Sequence, residues 1–261
     1  MEKVDVTAIV PYYRDNLTIE RAINSILNQT VQVSEIIIID DFSNREIDIE
    51  MLKSIENKSN LIKIIRRREN RGPGESRNVG LDKASSNYIA FLDSDDVWKE
   101  NKIEKQFKIM KLTNAFISGH KSSIIGDNVK GTGKIIQITP FNQFIKNRFP
   151  TRSVMIKNNN IYRFEKNKRH AEDFLLWTQM ILNKEKAIII DEVLANSFKW
   201  DFGDSGLTAN LHAMYKGGIS ALKTLKNEKK INNVTYRLLL VYQTLKYILR
   251  IIRLQIKRLR K

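Results

Sequence analysis

Through the first hundred residues, short apolar runs that end in polar clusters alternate with amphipathic stretches. Residues 4–10 are apolar and β-rich and turn at Pro11. Ile19, Ala22, Ile23, Ile26 and Leu27 then recur at i, i+3, i+4, i+7 and i+8, the spacing of a helix with one buried face. Residues 35–39 read as a strand ending in Asp40-Asp41, and a short helical segment follows Asp48. Residues 61–65 read as a strand, 74–84 as a helix and 88–92 as a strand, with a further helix after Trp98. This βαβα order predicts an α/β fold with a mostly parallel sheet and helices on both faces.

Right-handed crossovers put the C-terminal ends of such strands on one edge, where open α/β sheets bind ligands. Residues 11–14, 40–41, 66–71 and 93–96 are therefore expected to meet at a single rim. The second half is less regular. Residues 115–138 suggest strands and turns punctuated by Gly126, Gly131 and Gly133, residues 171–182 an apolar-faced helix, and 188–190 with 193–198 more strand.

The cluster Asp93-Ser94-Asp95-Asp96 changes this picture most. Three carboxylates in four positions directly follow a buried-strand pattern, where like charges repel and desolvation is costly. A divalent cation resolves the conflict, because carboxylates suit Mg²⁺ or Mn²⁺ and such ions share their shell with substrate phosphates. The plainer alternative is a solvated turn with Asp capping the next helix.

Composition excludes several classes. The chain has 261 residues, no cysteine and a net charge of +16. It therefore has neither a disulfide framework nor a thiolate metal site. A first strand this early leaves no room for a signal peptide, and no apolar run approaches membrane-spanning length. The charge is concentrated in the tail. Residues 237–261 hold eight basic side chains and no acid. Leu238, Val241, Leu245, Ile248, Ile252 and Ile256 keep roughly helical spacing there, between Lys246, Arg250, Arg253, Lys257 and Arg260. Such a helix is expected to lie on an anionic membrane surface; the alternative is docking on the protein body or on a second copy. Nucleic acid is not an expected partner, since no recognition motif accompanies the charge.

Six stretches taken together resemble family 2 glycosyltransferases of the GT-A fold: 6–13 (VTAIVPYY), 25–30 (SILNQT), 35–43 (EIIIIDDFS), 70–80 (NRGPGESRNVG), 88–98 (YIAFLDSDDVW) and 171–177 (AEDFLLW). The resemblance implies a GT-A domain over 1–226, with a nucleotide-binding half at 1–112 and an acceptor half at 113–226, followed by the basic amphipathic helix at 227–261. It implies an inverting, metal-dependent sugar transferase using Mn²⁺ or Mg²⁺ and a nucleotide-sugar donor, UDP favoured over GDP. The acceptor would be a glycan or lipid-linked hydroxyl, in synthesis of O-antigen, capsule or lipopolysaccharide at the cytoplasmic face of a membrane.

Residue by residue, Pro11 and Tyr13 would shape the floor near base and ribose. Asp40 or Asp41 would accept the uracil imide N–H, and Arg71 would pair with base or diphosphate. Asp95 would coordinate the metal, with Asp93 on ribose or the hydrated ion, Ser94 beside them and Asp96 in support. Asp173 matches the base that deprotonates the acceptor, with Glu172 as its neighbour. Residues 198–206, aromatic and bounded by glycine, would form an acceptor-side lid, and His212 would be structural. Two other classes compete. A sugar-phosphate nucleotidyltransferase needs a Gly-rich basic loop after the first strand, which residues 10–14 lack; a non-catalytic basic module leaves the acidic clusters unexplained.

Overall fold

The computed structural model describes residues 2–124, 127, 129–198 and 210–259. The first half runs β1 (Lys3–Tyr12), α1 (Ile19–Leu27), β2 (Gln32–Asp40), α2 (Glu46–Glu56), β3 (Ile62–Arg66), α3 (Pro73–Lys83) and β4 (Tyr88–Phe91), as the alternation predicts. β5 (Val97–Trp98), α4 (Lys102–Thr113), β6 (Ile117–Ile124), β7 (Ile135–Gln137), α5 (Pro140–Ile145), β8 (Met155–Lys157), α6 (Glu172–Leu182) and β9 (Ala187–Ser197) follow. Two helices close the chain, α7 (Leu211–Asn227) and α8 (Asn233–Leu259).

These strands form one nine-stranded sheet in the order β3-β2-β1-β4-β8-β6-β9-β5, with β7 also on β9. β1, β2, β3 and β4 are mutually parallel. β8 then runs antiparallel to both β4 and β6, which restores the original direction in β6 and β9. β5 and β7 also run antiparallel to β9, but the reversal at β8 is the one that shapes the rim. It brings the residues that enter β8 to the same rim as the residues that leave β1, β2 and β4.

Strand periodicity divides the core between the two faces. On β1 and β2, Val4, Val6, Ala8, Val10, Ile36 and Ile38 pack with α1, α2 and α4. The alternate residues Ile9, Ile37 and Ile39 pack with Leu81 of α3 and Leu176, Trp177 and Met180 of α6. Each fully buried side chain of this size contributes about 1.5–3 kcal/mol relative to exposure. A third cluster, Phe144, Phe174, Leu175, Ala221, Leu222, Leu225 and Ile231, joins α5, α6 and α7. Trp98 and Trp177 are core residues, as their apolar neighbours suggest.

The tail helix α8 docks by one face only. Tyr236, Leu239 and Leu240 pack on the third cluster, Tyr247 stacks on Tyr215 at 4.5 Å, and Tyr242 and Lys246 donate to the Ile145 carbonyl. His212 sits beside Tyr247 at 3.2 Å, in keeping with a structural role. The opposite face carries Val234, Leu238, Val241, Leu245, Ile248 and Ile252, every one at least 44% exposed. Their steps of four and three residues make a continuous outward apolar stripe. No described helix is long and apolar enough to cross a membrane.

Gly80 sets how closely α3 approaches the sheet: a Cβ there would stand 2.6 Å from Ile9 and 3.0 Å from Ile39. Gly80→Val should therefore cost about 1–3 kcal/mol by overpacking, read as a lower urea midpoint at unchanged slope.

Candidate active site

A cleft of about 690 Å³ opens at the rim, lined in part by Pro11, Tyr13, Asp41, Asp93, Ser94, Asp95, Glu172 and Asp173. Eight of the expected site residues thus come together from β1, β2, β4 and α6. Asp96 also reaches the wall, whereas Asp40 and Arg71 do not.

The reasons are local. Asp40 accepts the Ser43 N–H at 2.9 Å and holds the turn after β2. Asp41 faces the cleft and accepts from Arg67 Nη1 and Gly72 N–H, both at 2.7 Å, and from Arg71 N–H at 3.2 Å. A carboxylate offers about four acceptor positions, so one remains for a ligand N–H. Arg71 contributes its backbone to this arrangement, while its side chain turns outward to Glu69. Gly72, at φ +90°, adopts the left-handed conformation that lets the chain bend around Asp41 into α3.

Backbone contacts to α1 fix the acidic loop after β4. Thr18 donates to the Ser94 carbonyl and Arg21 to that of Asp95, both at 2.9 Å, and Ser94 Oγ donates to Asp15 at 2.7 Å. Asp93 and Asp95 stay half-buried in the cleft wall. Asp96 is different: it lies buried 3.5 Å from Arg152, and burial pushes its carboxyl up to about 7 while Arg152 opposes the rise. Asp96 thus also anchors Arg152 beside the cleft. Among the described residues no three His, Asp or Glu side chains are grouped to hold a metal. Two hard carboxylates, Asp93 and Asp95, with substrate phosphates completing the shell, nevertheless suit Mg²⁺ or Mn²⁺.

Across the cleft, Ala171 in the left-handed conformation (φ 57°) starts α6, so Glu172 and Asp173 occupy its first turn. Asp173 accepts the Phe174 N–H at 2.7 Å and Asn147 Nδ2 at 2.8 Å. Burial raises its carboxyl above the ordinary range, and those two hydrogen bonds with Arg77 oppose the rise. Burial, then the charge of Asp173, pushes Glu172 up to about 7 against the pull of Arg77. Asp173 is thus positioned by two donors and has its proton affinity raised by burial, a setting that suits proton transfer.

Sequence reasoning overlooked the cations. Arg77 on α3 is buried, with Nη2 2.6 Å from Asp93 and Nη1 3.4 Å from Glu172. Its signal was an arginine three residues after Gly74, on the same inward face of a helix. Arg152 precedes the reversed strand β8 and Arg169 precedes α6; both line the cleft, and strand alternation marks neither. Residues 199–209, most of the expected lid, lie outside the described residues.

Removing Arg77 would strand the buried Glu172 and the half-buried Asp93, so Arg77→Leu should cost about 3–5 kcal/mol at pH 8. The sign of the pH effect follows from Glu172. Its carboxyl is raised from the ordinary 4.5 to about 7, so it takes stability away as pH climbs through that window. Urea titrations should therefore find the variant's deficit smaller at pH 5 than at pH 8.

Comparison with known proteins agrees with this geometry. Residues 7–171 match the model of glycosyl transferase family 2. The Escherichia coli protein named UDP-Glc:alpha-D-GlcNAc-diphosphoundecaprenol beta-1,3-glucosyltransferase, WfgD, is 31% identical over 183 residues, covering 69% of this chain and 71% of its own length. A Bacillus subtilis glycosyltransferase named for teichuronic acid biosynthesis, TuaG, is 29% identical over 195 residues, 73% of this chain and 77% of its own. In structure, residues 1–349 of S. aureus TarS in complex with UDP-GlcNAc superpose with a TM-score of 0.71 at 20% identity, covering 92% of this chain and 70% of that one. The fold is thus GT-A, and the nucleotidyltransferase and non-catalytic readings fall away. With the family model matched over more than half its length, the chain belongs to glycosyl transferase family 2.

Proposed function

We propose that this family 2 enzyme is an inverting transferase of surface polysaccharide synthesis, moving a sugar from a UDP-sugar to a hydroxyl of a lipid-linked, diphosphate-bearing glycan. The observation that carries the reading is the pairing across one cleft of Asp93 and Asp95 with the buried, doubly hydrogen-bonded Asp173. UDP is favoured by the donor named for the E. coli relative and by the UDP-GlcNAc complex of the S. aureus protein. The acceptor class rests on the E. coli name, and the product would be O-antigen, capsule or lipopolysaccharide.

In this reading Pro11 and Tyr13 flank the base and ribose, and the open acceptor position of Asp41 takes the uracil imide N–H. Asp93 and Asp95 would hold Mn²⁺ or Mg²⁺, which when bound supplies Lewis-acid stabilisation of the departing diphosphate. Asp173 orients the acceptor hydroxyl opposite the leaving group and takes its proton as the anomeric carbon inverts. Arg77 keeps Asp93 and Glu172 at fixed separation without occupying the reaction path.

The outward stripe of α8 supports adsorption to an anionic membrane at its cytoplasmic face. Arg237 and Arg253 flank it exposed, and no acidic residue follows Glu228. A second copy of so basic a helix would meet like charge, which favours lipid as the occupant.

Incubation with UDP-sugars and Mn²⁺ should release UDP, and EDTA should abolish the release. Asp95→Asn should lower it by about 10²-fold or more. Asp173→Asn should keep UDP affinity while losing about 10²–10⁴-fold in transfer; loss of both would make Asp173 structural. For the tail, Val241→Asp with Leu245→Asp should move the protein from phosphatidylglycerol vesicles to the supernatant in flotation, with the thermal midpoint unchanged because both positions are exposed.

A further inference from the structure

A second concavity of about 530 Å³ adjoins the cleft, between residues 165–170 and α7. Its charged lining is lopsided: Lys166, Lys168, Arg169 and Lys216 face a single carboxylate, Glu165. That carboxylate is already committed, accepting Thr224 Oγ1 at 3.0 Å and standing 3.3 Å from Lys168. Lys168 is held in place, its Nζ donating to Ser220 Oγ at 3.0 Å. His170 keeps a buried Nδ1 without a hydrogen-bond partner. Among the described residues of this lining, Lys168 is tethered, Arg169 is held by two hydrogen bonds to Asn70, and the exposed Lys166 and Lys216 add two more cations around one spoken-for acid, a setting for an anion with several oxygens.

Its position says which anion. Arg169 and His170 line both the groove and the cleft, beside Glu172 and Asp173. The groove therefore adjoins the part of the cleft that holds Asp173. On α7, Ala213, Lys216, Gly217 and Ser220 share the groove face at i, i+3, i+4 and i+7, while Tyr215 points the other way and stacks on Tyr247 of α8. Gly217 keeps this wall tight, since a Cβ there would meet the His170 backbone at 2.6 Å. The groove thus lies between the acceptor end of the cleft and the helix that bears the apolar stripe.

We propose that this groove binds the phosphate groups of the acceptor, so that a sugar carried on a lipid diphosphate presents its hydroxyl to Asp173 while the diphosphate rests against Lys166, Lys168, Arg169 and Lys216. This rests on the transferase reading above and adds to it a site that selects phosphorylated acceptors over neutral glycosides.

Calorimetry with protein saturated in UDP, so that the donor site is filled, tests the site without requiring turnover. A short-chain prenyl diphosphate should bind, and Lys166→Glu with Lys216→Glu should weaken it by roughly tenfold or more. Replacing both lysines by arginine should keep the affinity, and UDP affinity serves as the folding control. Absence of diphosphate binding in the presence of UDP, or equal affinity in the double variant, overturns the proposal. So does a double variant that loses only its partition to phosphatidylglycerol vesicles, which would make the groove a headgroup contact. If the diphosphate binds as expected but no sugar is transferred to any sugar-diphosphate, the transferase reading fails and the anion site stands.

Discussion

The guanidinium of Arg77 is buried between Asp93 and Glu172, and three elements that are distant in sequence are tied at that point. It links α3 to the loop after β4 and to the start of α6. Without a cation there, the folded chain would hold three carboxylates, Asp93, Glu172 and Asp173, in one poorly hydrated wall. With it, the charges are spaced and oriented, and the remaining electrostatic tension appears as the raised proton affinity of Glu172 and Asp173. Ordinary burial of aliphatic side chains stabilises the sheet; this one ion group decides whether the cleft can keep its acids.

Charge is otherwise sorted by region. Carboxylates gather in the cleft at the rim. Cations gather in the adjoining groove, and a stripe of exposed aliphatic residues faces outward beyond α7. A lipid-borne acceptor has the same sequence of chemistries along its length: sugar, phosphate, hydrocarbon. The proposed acceptor would meet these regions in that order, and a net charge of +16 suits an anionic partner.

Much of this was legible in the chain. Alternating apolar runs predicted the first half nearly element by element, because parallel strands and amphipathic helices each have a strict period. The cluster at Asp93, Asp95 and Asp96 announced itself by its cost. What periodicity does not carry is the direction in which a side chain turns. Arg71 and Arg77 look alike in sequence, yet one faces solvent beside Glu69 and the other anchors the site. Asp40 and Asp41 are adjacent, and strand alternation puts only one in the cleft. α5 and β8 escaped notice because six and three residues are too few to show a period. Arg152, Arg169 and Asn147 come from the irregular connections around them.

The reversed strand β8 has a consequence for how such an enzyme diversifies. Both connections that flank it, the lead-in to β8 and the run from β8 to α6, lie outside the parallel register of β1 to β4 and are pinned by buried Phe149, Ser153, Tyr162 and Phe164. Lengthening their exposed stretches, such as 159–161, costs little closure entropy, whereas Phe164 is bonded to Asn78 of α3 and packs on Phe91 of β4. Sequence change in these connections therefore concentrates at the exposed positions between the anchors, where a new side chain does not repack the core.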